Sequence, residues 1–288
     1  MEELLLAISP PILIQIIVWG LIVGCIYVLL ASGLNLIFGV MKVVNFAHGE
    51  FMILGGYISY SLSIFVGLNP YLSIFVSMIV VGVLGVIIER VCFHQILGTS
   101  KLNELILSLG LIYVLQNTMS ILWTDYPVLI NSPFESRVLD WVIIIGITML
   151  IMTGFYILIR RTKIGRAMRA TSQNRVAAML MGINVEHINM LSFGLGTALA
   201  ATAGTLLAII TSITPYSGEI PALKAFTIII LGGLGSPLGA VIGGLGYGLI
   251  ESVAVTVLGG TWRDAVGFII LILVLIIRPM GLFGEKEI

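Results

Sequence analysis

Few polar side chains in this sequence could bind a solute or carry a proton, and four of them stand in apolar surroundings. Asn45, His48 and Glu50 fall within six residues, and Asn45 and His48 have the three-residue spacing that puts side chains on one helix face. Glu251 stands alone among apolar and small residues. Ionisable groups inside a membrane are costly and often mark a solute path. The four residues are therefore candidates for lining or gating such a path.

Each of these candidates also has a purely structural interpretation. Asn45, His48 and Glu50 would suit a re-entrant loop whose polar side chains bond to exposed backbone groups. Glu251 would suit an interhelical hydrogen bond, as would Gln116 and Asn117 in another apolar segment. The spacing alone decides neither question, and both interpretations stay open.

The sequence contains no recognisable catalytic or metal-binding pattern. A nucleotide-binding P-loop requires Gly-Lys followed by Ser or Thr, and none of the five lysines follows a glycine. The three aspartates, Asp125, Asp140 and Asp264, lie at the ends of apolar segments, and the three histidines lack the spacing of metal ligands. The sequence therefore predicts no enzyme, no metal site and no cofactor bound by this chain.

The composition places the chain in a membrane. Only 10% of its 288 residues are charged and 59% are hydrophobic, whereas soluble domains carry about 25% charged residues. So few charges cannot cover the surface of a soluble protein, which excludes a soluble enzyme, a nucleic-acid binder and a disordered chain. We predict an all-α, polytopic transmembrane helical bundle that forms one domain over residues 1–288.

About eight membrane spans are predicted, together with one short broken or re-entrant element. The first span contains Gly33-Leu34-Asn35, where it could break, and Pro237 interrupts the apolar stretch 224–258. We favour a hairpin of two crossings there. The predicted spans are 12–37, 51–68, 71–92, 103–123, 141–159, 187–211, 237–258 and 264–278, and the short element is 224–235. The glycines around that break, which suit close helix packing or gating, are Gly232, Gly233, Gly235, Gly239 and Gly243.

The distribution of basic residues predicts the orientation. Six of the 14 lysines and arginines lie in 160–175 without an acidic residue, so this loop should be cytoplasmic. Loop 124–140 carries three acidic residues against Arg137 and should be external. Counting spans from the basic loop puts Lys42 and the loop 90–101 inside, the N-terminus outside and, given the hairpin, Arg278 and Lys286 inside. The chain is predicted to reside in the cell membrane.

The basic loop has an internal order of its own. Ile164, Ala167, Met168 and Thr171 recur with helical spacing, and Arg166 and Arg169 fall on the opposite face. Asn174 can cap a second short helix over 175–181, with Gly182 just past its end. This order fits either a basic surface helix or a docking helix for a cytosolic partner, and charge alone does not separate the two.

Four sequence blocks resemble the branched-chain amino-acid permeases of ATP-binding-cassette importers, and the resemblance covers nearly the whole chain. The blocks are SGLNLIFGVMKVVNFAHGEF at 32–51, KIGRAMRA at 163–170 with AAMLMGI at 177–183, KAFTIIILGGLGSPLGA at 224–240, and RPMGLFG at 278–284. The resemblance implies a coupling loop at 160–185 that engages an ATPase. Its residues here are Lys163, Gly165, Arg166, Arg169, Ala177, Ala178 and Gly182. Val176 replaces the acidic residue usual before the alanines, so no carboxylate role is carried over.

The resemblance also implies a set of partners. It predicts a second, homologous permease subunit, two cytosolic ATP-binding subunits that use the ATP, and an external solute-binding protein that delivers branched-chain amino acids. Urea, short amides or other amino acids are alternative substrates. An ion-coupled secondary transporter that uses Glu50 and Glu251 is a further alternative, and a membrane enzyme has no residues to support it.

Overall fold

The computed structural model describes residues 10–123, 125–277 and 281, which fold into eleven helices joined by loops. Over these residues the one extended pairing is an isolated bridge between Val128 and Ile213, so the predicted all-α bundle is confirmed. The helices are α1 Pro10–Met41, α2 His48–Phe65, α3 Pro70–Ile88, α4 Lys101–Leu122, α5 Arg137–Arg161, α6 Lys163–Gln173, α7 Arg175–Leu180, α8 Val185–Ile210, α9 Glu219–Gly232, α10 Pro237–Leu258 and α11 Arg263–Ile277. A π-helical turn, Glu89–Phe93, and a last turn, His94–Ile96, extend α3.

Six helices of the described chain are long and apolar enough to cross a membrane, namely α1, extended α3, α4, α5, α8 and α10. The predicted count of eight is therefore too high by this measure. Helix α2 has 18 residues but begins with His48 and Glu50, and α11 has 15 described residues, which span about 22 Å at 1.5 Å per residue. Helix α9 has 14 residues and is about 21 Å long, shorter than the ~30 Å hydrocarbon core.

Helix α1 lies at the centre of the bundle and is continuous. The expected break at Gly33-Leu34-Asn35 is absent, since the helix continues to Met41. Gly33 packs against the backbone of Gly196 in α8, where a Cβ would overlap the carbonyl. Gly20 and Gly24 pack in the same way against the Gly244–Leu249 segment of α10. The glycines therefore serve close helix approach here rather than a kink.

The loops gather at two opposite ends of the bundle. At one end, Lys101 Nζ donates to the Lys42 carbonyl at 2.7 Å and Arg90 pairs with Glu186 at 3.3 Å. We call this the basic end, formed by residue 42, 90–101 and 160–186. The other, acidic end contains loops 66–69, 125–136 and 211–217. The Val128–Ile213 bridge joins the last two of these loops, and the first lines a cavity with residues 129–133. The loops predicted to share a side therefore do lie together. The N-terminal residues 1–9, Arg278 and Lys286 lie outside the described residues.

Candidate translocation and coupling sites

The segment between α1 and α2 turns back into the bundle. Lys42 has a φ of 58°, and the chain then carries Val43, Asn45 and Ala47 into buried positions. His48, the first residue of α2, lies against Gly33 of α1, which is eight residues, or about 12 Å, from the end of that helix. Helix α2 therefore begins inside the bundle and runs to the acidic end.

Asn45 and His48 hold this re-entrant turn in place. The Asn45 Oδ1 accepts a hydrogen bond from the Ala47 N–H at 3.1 Å, and His48 Nε2 lies 3.2 Å from the Leu30 carbonyl oxygen. Asn45 therefore bonds to a backbone N–H that lies outside the helices, and His48 bonds to a carbonyl within α1. These backbone contacts fit the structural interpretation, and a role of the two residues in lining the path stays a prediction. Asn45 Nδ2 and His48 Nδ1 are buried and have no partner among the described residues.

Helix α9 enters the bundle from the opposite side. The chain leaves the acidic end at Ile213, turns inward, and brings Gly218 against Gly49 in the first turn of α2. A Cβ on Gly49 would overlap the Gly218 carbonyl, so only glycine permits this approach. The first turns of α2 and α9 therefore meet inside the bundle, and each helix runs from that point to a different end.

Two glutamates mark the meeting point of these helices. Glu50 lies in the first turn of α2 and is 1% exposed, whereas Glu219 opens α9 and is exposed. Gln116 of α4 donates one amide hydrogen bond to each, at 3.2 Å to Glu50 and 3.0 Å to Glu219. Sequence reasoning missed Glu219, because it follows an ordinary loop, Pro215–Gly218, with no sign that the loop re-enters. Gln116 is confirmed as an interhelical bond, but Asn117 donates to Tyr113 in its own helix.

Glu251 is the centre of a buried ionic network. It accepts hydrogen bonds from Tyr27 Oη at 2.8 Å, from Lys224 Nζ at 3.2 Å, and from the Arg263 Nε. Lys224 also pairs with Asp264 at 2.9 Å. The network ties α1, α9, α10 and α11 together, so Glu251 does make interhelical bonds, and its role in the solute path stays a prediction.

The predicted glycine cluster forms a tight turn between α9 and α10. Gly233 and Gly235 have φ values of 98° and 83°, and the Gly235 N–H donates to Asn35 Oδ1 at 2.7 Å. Gly232 and Gly239 face each other so closely that a Cβ on either would overlap the other's carbonyl. Gly243 lies against Ile228 further along the same two helices. Close packing is thus observed, and gating by these glycines stays a prediction.

Helix α6 is anchored beneath the end of α5. Thr162 Oγ1 accepts from the Gly165 N–H at 3.0 Å, and Gly165 is pressed against the carbonyls of Leu158 and Ile159. The Arg169 guanidinium donates to the Ile159 carbonyl, so Arg169 points inward. The sequence had predicted Arg169 on the face opposite the apolar residues, together with Arg166. Lys163 and Arg166 are exposed. The buried face contains Met168 and Thr171, whereas Ile164 is 44% exposed.

Helix α7 follows α6 and has exposed apolar side chains. Asn174 Oδ1 caps it by accepting from the Ala177 N–H at 2.9 Å, and Gly182, with φ 81°, follows its end as predicted. Ala178 is buried beneath it and Ala177 is exposed. The exposed apolar residues, which we call the α7 knob, are Val176, Met179, Leu180 and Met181, at 63%, 51%, 84% and 83% exposure. The run of large apolar residues after a helix cap was the signal that sequence reasoning passed over.

Comparisons with known proteins agree with this architecture. The chain matches the model of the family described as branched-chain amino acid transport system / permease component over residues 16–275. It is 36% identical to the high-affinity branched-chain amino acid transport system permease protein BraD of Pseudomonas aeruginosa, over 96% of this chain and 97% of that protein. It is 34% identical to the corresponding Escherichia coli K12 protein LivH, over 93% and 94% of the two chains.

A solved structure shares the fold at low sequence identity. The chain resembles the structure described as PsaBC from Streptococcus pneumoniae in complex with Fab, with a TM-score of 0.56 and 16% identity. The similarity covers 97% of this chain and 96% of that one, so the helical arrangement is shared along nearly the full length. On the strength of the family match and of relatives above 30% identity, this multi-pass membrane protein belongs to the family of branched-chain amino acid transport permeases.

Proposed function

We propose that this chain is the membrane-spanning permease subunit of an ATP-binding-cassette importer for branched-chain amino acids. In this proposal a second, homologous permease completes the path, two cytosolic ATP-binding subunits supply the energy, and an external binding protein delivers the solute. The relatives BraD and LivH are named as permeases of branched-chain amino acid transport systems, which supports the substrate class. The chain itself binds no ATP in this scheme.

The observation that carries the proposal is the α7 knob. Four large apolar side chains extend from a capped helix at the basic end, where the loops carry most of the chain's positive charge. Exposed apolar side chains at an end of the bundle that is rich in basic residues fit a docking surface for a cytosolic protein. Since α6 is bonded to the end of α5, movement of a subunit bound to α7 would reach α5 and α8 directly.

The acidic end supports the external half of the proposal. A cavity of about 540 Å³ opens there between the α2–α3 turn and loop 129–133. Asn69 and Asn131 supply polar groups in its wall, and Pro70 and Pro133 stiffen it. We assign the docking of the loaded binding protein to this end, and we expect its contacts around residues 124–140, 212–222 and 259–263.

Removing the apolar surface of the α7 knob should uncouple the transporter. Leu180→Ser combined with Met181→Ser is expected to lower ATP-driven leucine uptake at least tenfold, because both side chains are more than 80% exposed and would be buried by the ATPase. The measurement is uptake by proteoliposomes, with the amount of ATP-binding subunit that co-purifies determined on the same preparations.

Ile121→Ser is the matched control, since Ile121 is 83% exposed but lies at the end of α4, far from the basic loops. Normal uptake and normal subunit stoichiometry in the α7 double variant would reject the docking role. ATP-independent uptake driven by an ion gradient alone would instead favour the secondary transporter.

Charge reversal at Arg166 should have a smaller effect of the same kind. Arg166→Glu is expected to weaken recovery of the ATP-binding subunit at physiological salt and to lower uptake about threefold to tenfold, because rim charges act mainly on association. Arg169→Glu would also break the hydrogen bond to the Ile159 carbonyl and loosen α6. Arg166→Glu therefore tests the charge at the rim, whereas Arg169→Glu also tests the attachment of α6 to α5. An Arg166→Glu variant with full subunit recovery at low and high salt would contradict the rim role.

A further inference from the structure

Glu50 differs from the other buried acids of the described chain in its partners. Glu104 pairs with Lys101 at 3.1 Å, Asp140 accepts from Tyr71 and Ser132, and Glu251 has two cations. Within the described residues Glu50 has no cationic partner, and its Oε2 is buried without a hydrogen-bond partner. Glu89 also has unbonded oxygens, but it lies at the basic end beside Arg90. A buried carboxylate oxygen without a donor can still accept a hydrogen bond, so Glu50 has an acceptor to offer a ligand.

The surroundings of Glu50 contain two helix N-termini and no positively charged side chain among the residues that bond to it. The first turns of α2 and α9 meet there, and each helix N-terminus carries about half a positive charge. Gln116 is neutral, and it links the two acids without adding a charge. A cation that entered between Glu50 and Glu219 would stabilise the ionised form of both carboxyl groups.

The cluster also has the geometry of an ammonium site. An ammonium group has three N–H donors, and the cluster offers carboxylate oxygens of Glu50 and Glu219 together with the Gln116 side-chain carbonyl. The Gln116 amide N–H groups now donate to one oxygen of each glutamate, and the N–H groups of an ammonium ion would donate to the same oxygens. Rotation of the Gln116 amide by half a turn would present its oxygen instead. Glu219 is exposed, so the cluster is open on that side.

We propose that the Glu50–Gln116–Glu219 cluster binds the ammonium group of the amino acid as it passes between the first turns of α2 and α9. The inference rests on the proposed function, because it takes the amino acid as the solute. It assigns to Glu219 and Gln116 the recognition of the one positive group shared by all branched-chain amino acids. The exposed Glu219 receives the group first, and Glu50 with its free oxygen completes the site.

The test uses the complete transporter, with its ATP-binding subunits and binding protein, in proteoliposomes. Glu219→Gln and Glu50→Gln keep size and remove charge, and Asn117→Ala is the control, because Asn117 is exposed beside Gln116 but bonds only within its own helix. We measure leucine uptake and, in the same vesicles, ATP hydrolysis stimulated by the leucine-loaded binding protein.

The expected result is at least a tenfold loss of uptake in both Gln variants, with stimulated hydrolysis within twofold of wild type and Asn117→Ala unchanged. Uptake within twofold of wild type in Glu219→Gln would overturn the inference, because that exposed substitution leaves the fold intact. Equal losses of uptake and hydrolysis would also overturn it, in favour of a structural role. Uptake driven by sodium or proton gradients without ATP would make the cluster an inorganic cation site. Absence of ATP-dependent leucine uptake in the wild type would refute the proposed function itself.

Discussion

Replacing Glu251 with leucine is expected to destabilise the folded chain by about 3–5 kcal/mol, the cost typical of breaking a buried ion pair by removing one partner. Lys224 is 7% exposed and, among the described residues, would keep Asp264 and Tyr27 as its partners. Arg263 is 43% exposed at its side chain and can turn to water, so Lys224 carries most of the penalty. The measurement is the unfolding midpoint in mixed micelles titrated with a denaturing detergent.

A double substitution separates the energy of the Lys224–Glu251 interaction from the effects of changing each residue alone. Lys224→Met with Glu251→Leu should recover more than half of the loss, because a well-packed apolar pair often replaces a buried ion pair at little cost. Asp264→Asn is the control and should change stability by less than about 1 kcal/mol, since its carboxylate is 48% exposed. A double variant as unstable as the sum of the single variants would show that Glu251 and Lys224 do not act as a pair.

The sequence predicted those parts of the fold that depend on local pattern. Long apolar segments gave α1, α3, α4, α5, α8 and α10, and the basic block gave α6 and α7, because hydropathy and capping are read from neighbouring residues. Gly182 was placed correctly for the same reason, since a helix end with positive φ has a local signature.

The sequence did not predict which distant residues meet. Lys224 lies 27 positions from Glu251, and Tyr27 lies 224 positions from it, so no spacing rule joins them. Glu219 and Glu50 meet only because two chain segments re-enter from opposite ends. The polar residues before Glu50 indicated re-entry, whereas the segment before Glu219 has the composition of an ordinary loop. The wrong prediction of a break in α1 has the same origin. Gly33 and Asn35 are explained by contacts with the distant residues Gly196 and Gly235, and no local pattern reveals those contacts.

The Gly232–Gly239 contact shows why the glycines of the α9–α10 turn are needed. The two residues touch backbone to backbone, and a Cβ on Gly239 would overlap the Gly232 carbonyl. Backbone atoms cannot rotate away as side chains do, so the helices would have to separate, which costs more than the roughly 1–3 kcal/mol of ordinary overpacking. Separation would also displace Lys224 from Glu251, because α9 carries one and α10 the other.

Gly239→Leu is therefore expected to abolish assembly of the transporter or reduce leucine uptake by more than tenfold. Gly246→Leu in the same helix is the matched control, because a Cβ there meets nothing within 4 Å and leucine has a higher helix propensity than glycine. The comparison is made by size-exclusion chromatography in detergent and by uptake in proteoliposomes. If both variants assemble and transport as wild type does, the close approach of α9 and α10 is dispensable. If both fail alike, the loss comes from glycine substitution in α10 generally and not from this contact.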